Sequence, residues 1–294
     1  MLIARVIADP ASLETRLEAA IAAIEGAGLR LAATSMLDGD GDVLELLLPH
    51  GEGQVVGEIL GEHFAPCDML VSDREIRAPE LFVSDMDSTM IGQECIDELA
   101  DFAGLKHQIA AITERAMQGE LDFADALRER VMLLRDLSEG AILECLNTRI
   151  VPMPGAKTLV ATLNALGCRT VLVTGGFHQF ADPVAEWLGF DRVVGNELVI
   201  ANGLLTGEVI EPITDSSVKQ RVLLQEAAEL REGAVTLATG DGANDIPMIE
   251  AATYGIAYHA KPKARAVANG QVSRGDLTAV LKLLGIPRSD WVAD

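Results

Sequence analysis

Glu80-Leu81-Phe82-Val83-Ser84-Asp85-Met86-Asp87-Ser88-Thr89 is the stretch on which the reading of this chain turns. A short apolar run that stops abruptly on two aspartates reads as a buried strand delivering acids to its carboxyl end. Beyond it, residues 93–148 are rich in Ala, Glu, Leu and Arg and read as helical, with breaks at Gly104, Gly119 and Ser138-Glu139-Gly140. Strands and helices then alternate. A helix follows Pro154-Gly155, then come a strand Arg169–Thr174, a helix after Gly176 and a hairpin-like stretch around Val194–Val209. A helix from Asp215, a strand Val235–Thr239, a helix after Gly242 and a strand Gly255–Tyr258 complete the pattern. Such alternation predicts an α/β domain with a mostly parallel sheet, and the helical block between its first two strands should sit over the strand ends as a cap.

Upstream, residues 2–71 read as a βαββαβ unit: strand Leu2–Ile7, a helix, strands near Leu29–Met36 and Val43–Leu48, a shorter helix, and a strand near Met69. Asp9 can cap the first helix with Pro10 at its first position, and Leu13, Leu17, Ile21 and Ile24 share one face. Asp38-Gly39-Asp40-Gly41 suits the turn between the middle strands. This order resembles the ferredoxin-like fold of small amino-acid-sensing ACT domains and implies an α+β domain over residues 1–78. It carries no ligand motif, so a dimerisation or packing role is the plainer reading.

The 294 residues suit two modest domains, and a composition 49% apolar and 23% charged excludes disorder of the whole chain. Forty-five acids against 23 bases give a formal charge of −22, a field that repels nucleic-acid phosphates and anionic lipid, so neither partner is expected. Cys67, Cys95, Cys145 and Cys168 form no CxxC pair and read as reduced and mostly buried. The opening MLIARVIADP lacks a signal-peptide core and no charge-free run is long enough to cross a bilayer, which places the expected location in the cytoplasm.

In a parallel α/β sheet, catalytic groups gather at the carboxyl edge. Four pieces fit such a site: Asp85-Met86-Asp87-Ser88-Thr89, Val173-Thr174-Gly175-Gly176-Phe177, Lys219, and Gly240-Asp241-Gly242-Ala243-Asn244-Asp245. Each alone has a plainer reading, as a solvated turn, a helix entry, a surface lysine or a Gly/Asp loop. Their joint occurrence in this order is what carries the argument. With Glu94, Leu121-Asp122-Phe123 and Leu127-Arg128-Glu129-Arg130-Val131, they resemble the haloacid dehalogenase (HAD) superfamily of aspartate-based phosphohydrolases, and within it the branch acting on phosphoserine. The resemblance spans roughly residues 80–290. It implies a HAD-like Rossmannoid parallel sheet over residues 79–294, with a helical cap inserted at about 92–150.

Phosphate ester hydrolysis needs a nucleophile, charge neutralisation and a proton for the leaving oxygen. Asp85 can attack phosphorus and form an aspartyl-phosphate; Asp87 can protonate the leaving oxygen and later take a proton from water. Asp85, Asp241 and the Asp87 backbone carbonyl offer the oxygen shell that Mg²⁺ prefers, with Asp245 holding a metal-bound water or orienting that shell. The Thr174 hydroxyl, the Gly175 amide and Lys219 can hold phosphoryl oxygens, at the positive end of the helix that starts after Gly176. Asn244 is expected to orient Lys219 or touch phosphate. The resemblance further implies that Glu94 binds a substrate ammonium, that Arg130 clamps its carboxylate, and that Met117 and Phe123 line the apolar wall. His107, His178 and His259 lack ligand spacing and read as bystanders.

The expected activity is thus Mg²⁺-dependent hydrolysis of O-phospho-L-serine to L-serine and phosphate, the last step of serine biosynthesis, by a chain that could form a homodimer. The competing readings are a phosphatase or phosphotransferase for another phosphoamino acid, and a non-catalytic amino-acid sensor.

Overall fold

The computed structural model describes residues 1–7, 12–37, 42–117 and 120–293, apart from the side chain of Met117. The Asp9-Pro10 cap, the Asp38–Gly41 turn and the Gly119 break lie outside the described residues. In chain order the first elements are β1 (Leu2–Ile7), α1 (Leu13–Gly26), β2 (Ala33–Met36), β3 (Val43–Leu48), α2 (Gly53–Phe64) and β4 (Asp68–Ser72). Then follow β5 (Leu81–Ser84), the helices α3 (Cys95–Phe102), α4 (Lys106–Met117), α5 (Phe123–Leu133) and α6 (Glu139–Arg149), and α7 (Ala156–Ala165). Next come β6 (Arg169–Phe177), α8 (His178–Leu188), β7 (Arg192–Asn196), β8 (Leu198–Ala201) and β9 (Leu204–Val209). The chain closes with α9 (Ser216–Leu230), β10 (Thr236–Gly240), α10 (Ile246–Ala251), β11 (Tyr254–Tyr258), α11 (Pro262–Val267), β12 (Gly270–Val272) and α12 (Thr278–Leu283).

Strand β5 is apolar at Leu81, Phe82 and Val83 because both its faces are covered; all three are wholly buried. Burying each such side chain stabilises the fold by about 1.5–3 kcal/mol. It lies between β6 and β10 and is parallel to both, with Ser84 opposite Leu172 and Thr239. Six parallel strands run in the order β12-β11-β10-β5-β6-β7. The carboxyl ends of β5, β6 and β10 are therefore neighbours, and the three acid- and glycine-bearing segments that follow them meet.

Helix starts are set locally. Asp122, Ser138 and Asp215 accept N–H bonds from the first turns of α5, α6 and α9, satisfying donors that a helix otherwise leaves unpaired. Helix α9 is fixed at its far end by Glu226, which is buried and paired with Arg169 and Arg192 at the starts of β6 and β7. Val194 falls in β7, an edge of the main sheet, so the hairpin-like stretch expected from Val194 onward is confined to β8 and β9. That hairpin packs on the cap: Asp136 N–H donates to Leu205 O, Glu139 N–H to Gly203 O, and Arg135 Nε to Thr206 O at 2.9 Å. Pairing parallel to β6 seats β7, half-buried, at the sheet edge, a choice Val193-Val194 could not distinguish from a hairpin strand.

The N-terminal elements have the order β2-β3-β1-β4, every pair antiparallel, with α1 and α2 packed over one core of Leu46, Leu48, Leu60 and Phe64. Their sheet does not end there. β4 pairs antiparallel with β12, making one ten-stranded sheet. Asp68, 2% exposed, accepts N–H bonds from Ser273, Arg274 and Gly275 at 2.7–2.9 Å, and Arg5 donates to Glu45 and to Leu283 O. Three donors on one buried carboxylate predict that Asp68→Ala lowers unfolding free energy by about 2–4 kcal/mol. Urea denaturation measures this, and an unchanged midpoint would count against the clasp.

The four cysteines are all buried and unpaired. Burial pushes the Cys67 and Cys145 thiols up to about 11 and Cys168 to about 12, which makes them poor nucleophiles at neutral pH. Among the described residues no helix is long and apolar enough to cross a membrane.

Candidate active site

Asp85 follows the last residue of β5, its N–H donating to Thr239 O of the neighbouring strand. One carboxylate oxygen, Oδ1, accepts from Met86 N–H at 2.8 Å and meets Lys219 Nζ at 2.6 Å. Among the described residues no donor reaches Oδ2, which is left for chemistry. Lys219 is 1% exposed and also meets Asp245 Oδ1 at 2.7 Å. Burial alone would strip the proton from this lysine, but the two facing carboxylates reverse that and raise its pKa.

Asp245 reaches inward because the chain folds back on itself at Gly240. A side-chain carbon there would lie 2.4 Å from the Asp245 carboxyl carbon, so only glycine fits. The other Asp245 oxygen accepts N–H bonds from Asp241 and Gly242, so both its oxygens are committed. Of the two roles expected for Asn244, holding Lys219 falls to Asp245 instead. Asn244 is exposed, in a short turn of 3₁₀ helix, and its Oδ1 lies over Gly242.

Carboxylate oxygens of Asp85, Asp241 and Asp245 lie within 4.8 Å of one another. Burial, then Asp245, raises the Asp85 carboxyl against the pull of Lys219, and burial raises Asp241 as well. One ammonium does not balance this many buried carboxylates, and a hard divalent cation would offset the excess. The donor set is all oxygen, and no histidine or cysteine belongs to the cluster found among the described residues. The residues present therefore fit a metal of the Mg²⁺ class. His178 pairs with Asp182, and the His259 ring meets Gly275 O.

Asp87 lies beside this cluster. Burial, then the nearby Glu94, pushes its carboxyl up to about 7, so it is partly protonated at neutral pH. Its Oδ1 faces Cys95 N–H, and its Oδ2 would lie 3.2 Å from a side-chain carbon on Gly176. Thr174 Oγ1 accepts from Gly176 N–H at 2.8 Å, which leaves its own hydrogen to donate. The Thr174-Gly175-Gly176 bend comes where the β6–β7 register shifts. Buried Asn196 holds it, donating to Gly175 O at 2.8 Å and accepting from Thr214 N–H at 2.7 Å. Sequence reasoning missed Asn196; the available signal was a polar residue closing an apolar strand.

The cap enters and leaves through two segments zipped together. Gly92 N–H donates to Val151 O, Val151 N–H to the Gln93 side chain, and Met153 N–H to Met90 O. Phe123 opens α5 and lies over the phosphate-side bend, its Cζ 3.1 Å from where a side-chain carbon on Gly175 would be. The ring stays 40% exposed. Glu94, exposed just before α3, accepts from the Ser88 hydroxyl at 2.8 Å, and desolvation by the surrounding protein raises its carboxyl's pKa. Arg130 is half-buried on α5, bonded to Ala126 O, and the acids acting on it are Asp97 and Glu94. Burial lowers its pKa. Met117 ends α4, but its side chain lies outside the described residues. Lys261, largely exposed, stands at the mouth 3.6 Å from Asp241.

A parallel sheet with this carboxyl-edge array of aspartates and one lysine, under an inserted helical cap, defines a class. Residues 82–250 match the family model described as haloacid dehalogenase-like hydrolase, and residues 231–284 match a second model so described. The chain belongs to the haloacid dehalogenase-like hydrolases, a family whose phosphatases are generally metal-dependent. More particularly, it is 43% identical over 226 residues to a phosphoserine phosphatase of Mycobacterium tuberculosis, covering 76% of this chain and 55% of the relative. The chain thus spans little more than half the length of that relative. The crystal structure of a probable phosphoserine phosphatase from Vibrio cholerae superposes with a TM-score of 0.75 at 34% identity, over 98% of this chain and 87% of that one. A HAD family hydrolase from Salmonella enterica serovar Typhi superposes with a TM-score of 0.83 at 28% identity, over 97% and 99% of the two chains.

Proposed function

We propose that the chain hydrolyses O-phospho-L-serine to L-serine and phosphate, closing serine biosynthesis. The observation that carries this reading is the mouth of the site. Glu94 acts electrostatically both on Asp87 and, after Asp97, on Arg130, so one negative and one positive group stand near the catalytic aspartates for a substrate that also bears a phosphate.

Asp85 Oδ2 attacks phosphorus in line, the bond from phosphorus to the serine Oγ breaks, and Asp87 gives its proton to that oxygen. Water then attacks the aspartyl-phosphate, Asp87 takes its proton, and phosphate leaves Asp85. The Thr174 hydroxyl, Gly175 N–H and Lys219 hold the phosphoryl oxygens throughout, with Gly176 allowing the close approach and Asn244 available at the rim. Asp85, Asp241 and the Asp87 backbone carbonyl would hold Mg²⁺, which supplies positive charge against the phosphoryl oxygens. Asp245, its oxygens already engaged, steadies Lys219 and the Asp241 turn. Phe123, with Met117, would close the pocket against water.

Residues 1–78 form, in this reading, an ACT-like α+β domain beside a HAD domain over 79–294, with the cap at about 92–150. Their βαββαβ order and antiparallel pairing support it. A cytoplasmic location accords with such a reaction.

Phosphate release from phosphoserine tests the proposal. Chelation should stop it, Mg²⁺ should restore it, and Ca²⁺ should serve poorly, because its looser shell spoils in-line geometry. Full activity in excess chelator rejects the metal, and equal or faster turnover of phosphothreonine rejects the substrate.

The ratio of two activities tests the mouth. Arg130→Ala or Glu94→Gln should each cost about 2–4 kcal/mol in kcat/KM for phosphoserine, the range for a desolvated charge left without its partner. An aryl phosphate lacks both groups and should change far less. Equal losses on both substrates would place these residues in support of the fold.

A further inference from the structure

We propose that Ser88 is a positioning residue for substrate selection, holding the Glu94 carboxylate in the orientation that receives the substrate's ammonium group. The inference rests on the phosphoserine reading above. Ser88 lies in the turn between the two catalytic aspartates and the cap, at φ 56°, a left-handed conformation uncommon for residues other than glycine. Its N–H donates to Gln93 O, closing the turn on the residue before Glu94. That conformation brings the Ser88 Oγ to 2.8 Å from Glu94 Oε1, donating to it.

The Glu94 side chain has an alternative use. It occupies the N-cap position of α3, where a side-chain oxygen ordinarily accepts from the helix's own first turn, yet it makes no such bond. Ser88 takes it instead, toward the side of the site where Asp87, Asp241 and Arg130 lie. A carboxylate that has already lost its rotational freedom pays less on binding an ammonium, and a hydroxyl donor to it favours its charged form. Ser88 thus links the nucleophile-bearing loop to the group that reads the amino end of the substrate. It touches neither phosphorus nor the leaving oxygen.

The test compares kcat/KM for O-phospho-L-serine with that for its deaminated counterpart, the phosphate ester of 3-hydroxypropionate, in wild type, Ser88→Ala and Ser88→Gly. Glycine suits φ 56° better than serine, so the glycine variant separates loss of the hydroxyl from backbone strain. Both variants should lose roughly tenfold on phosphoserine, chiefly through a raised KM, while the deaminated ester changes less than twofold. A Ser88→Gly enzyme with the wild-type ratio overturns the proposal, as do equal losses on both esters, which would place Ser88 in support of the aspartates. If wild type itself does not prefer the ester bearing the ammonium, the phosphoserine reading falls and the proposal with it. That failure shows in the unmutated protein and so is distinguishable from the others.

Discussion

Asp85→Asn is expected to abolish turnover while leaving the protein folded. Asparagine is nearly isosteric and keeps an oxygen for Met86 N–H, but an amide does not form the phosphoryl ester through which the reaction runs. The expected loss in kcat is roughly 10⁴-fold or more, as for removal of other covalent nucleophiles. Acid-quenched protein should carry no phosphate after incubation with labelled phosphoserine. The stability sign follows from burial: the Asp85 carboxyl is raised, so its ionised form opposes folding as pH climbs above the ordinary aspartate range. Replacing it with a neutral amide relieves that opposition and gives up one of two partners of Lys219, which keeps Asp245. A thermal midpoint near or above that of wild type is expected. Retention of more than a small residue of activity by a folded variant would remove Asp85 from its assigned role.

The second large effect depends on the leaving group. Asp87→Asn keeps the nucleophile but has no proton to give, so kcat for phosphoserine, whose alkoxide is a poor leaving group, should fall by roughly 10²–10⁴-fold. A nitrophenyl phosphate departs without protonation, so its first step should survive. The second step still needs a base for water and should not. The variant should therefore release about one nitrophenolate per active site in a burst and then stall as phosphoenzyme, a pattern rapid mixing detects. Wild-type kcat on phosphoserine would refute the role. Both carboxyls are raised by burial, but Asp85 meets the Lys219 ammonium, which pulls it toward the ionised form a nucleophile needs, while Glu94 adds to burial in pushing Asp87 up to about 7.

Much of this was legible in the sequence because it is encoded over a few residues. The strand running into Asp85, the break at Ser138-Glu139-Gly140, the helix start at Asp215 and the glycines beside Thr174 and Asp241 each state a local preference, and the structure adds that Asp122, Ser138 and Asp215 cap the helices that follow them. The alternation of strands and helices placed the aspartates and Lys219 at one edge of one sheet, and the chemistry of phosphate made sense of that set. Other features depend on residues far apart in the chain. Pairing of β4 with β12 and the capture of three amides by Asp68 join residues about 200 positions apart. No periodicity in either segment announces them. The choice of β7 as a sheet edge, the grip of Asn196 on the Gly175 bend and the bond from Lys219 to Asp245 rather than Asn244 are likewise decided by which surfaces the completed core brings together. Short-range propensities choose a helix or strand, but a buried polar group takes whichever partner the packed fold leaves within about 3 Å, and that distance exists only after folding.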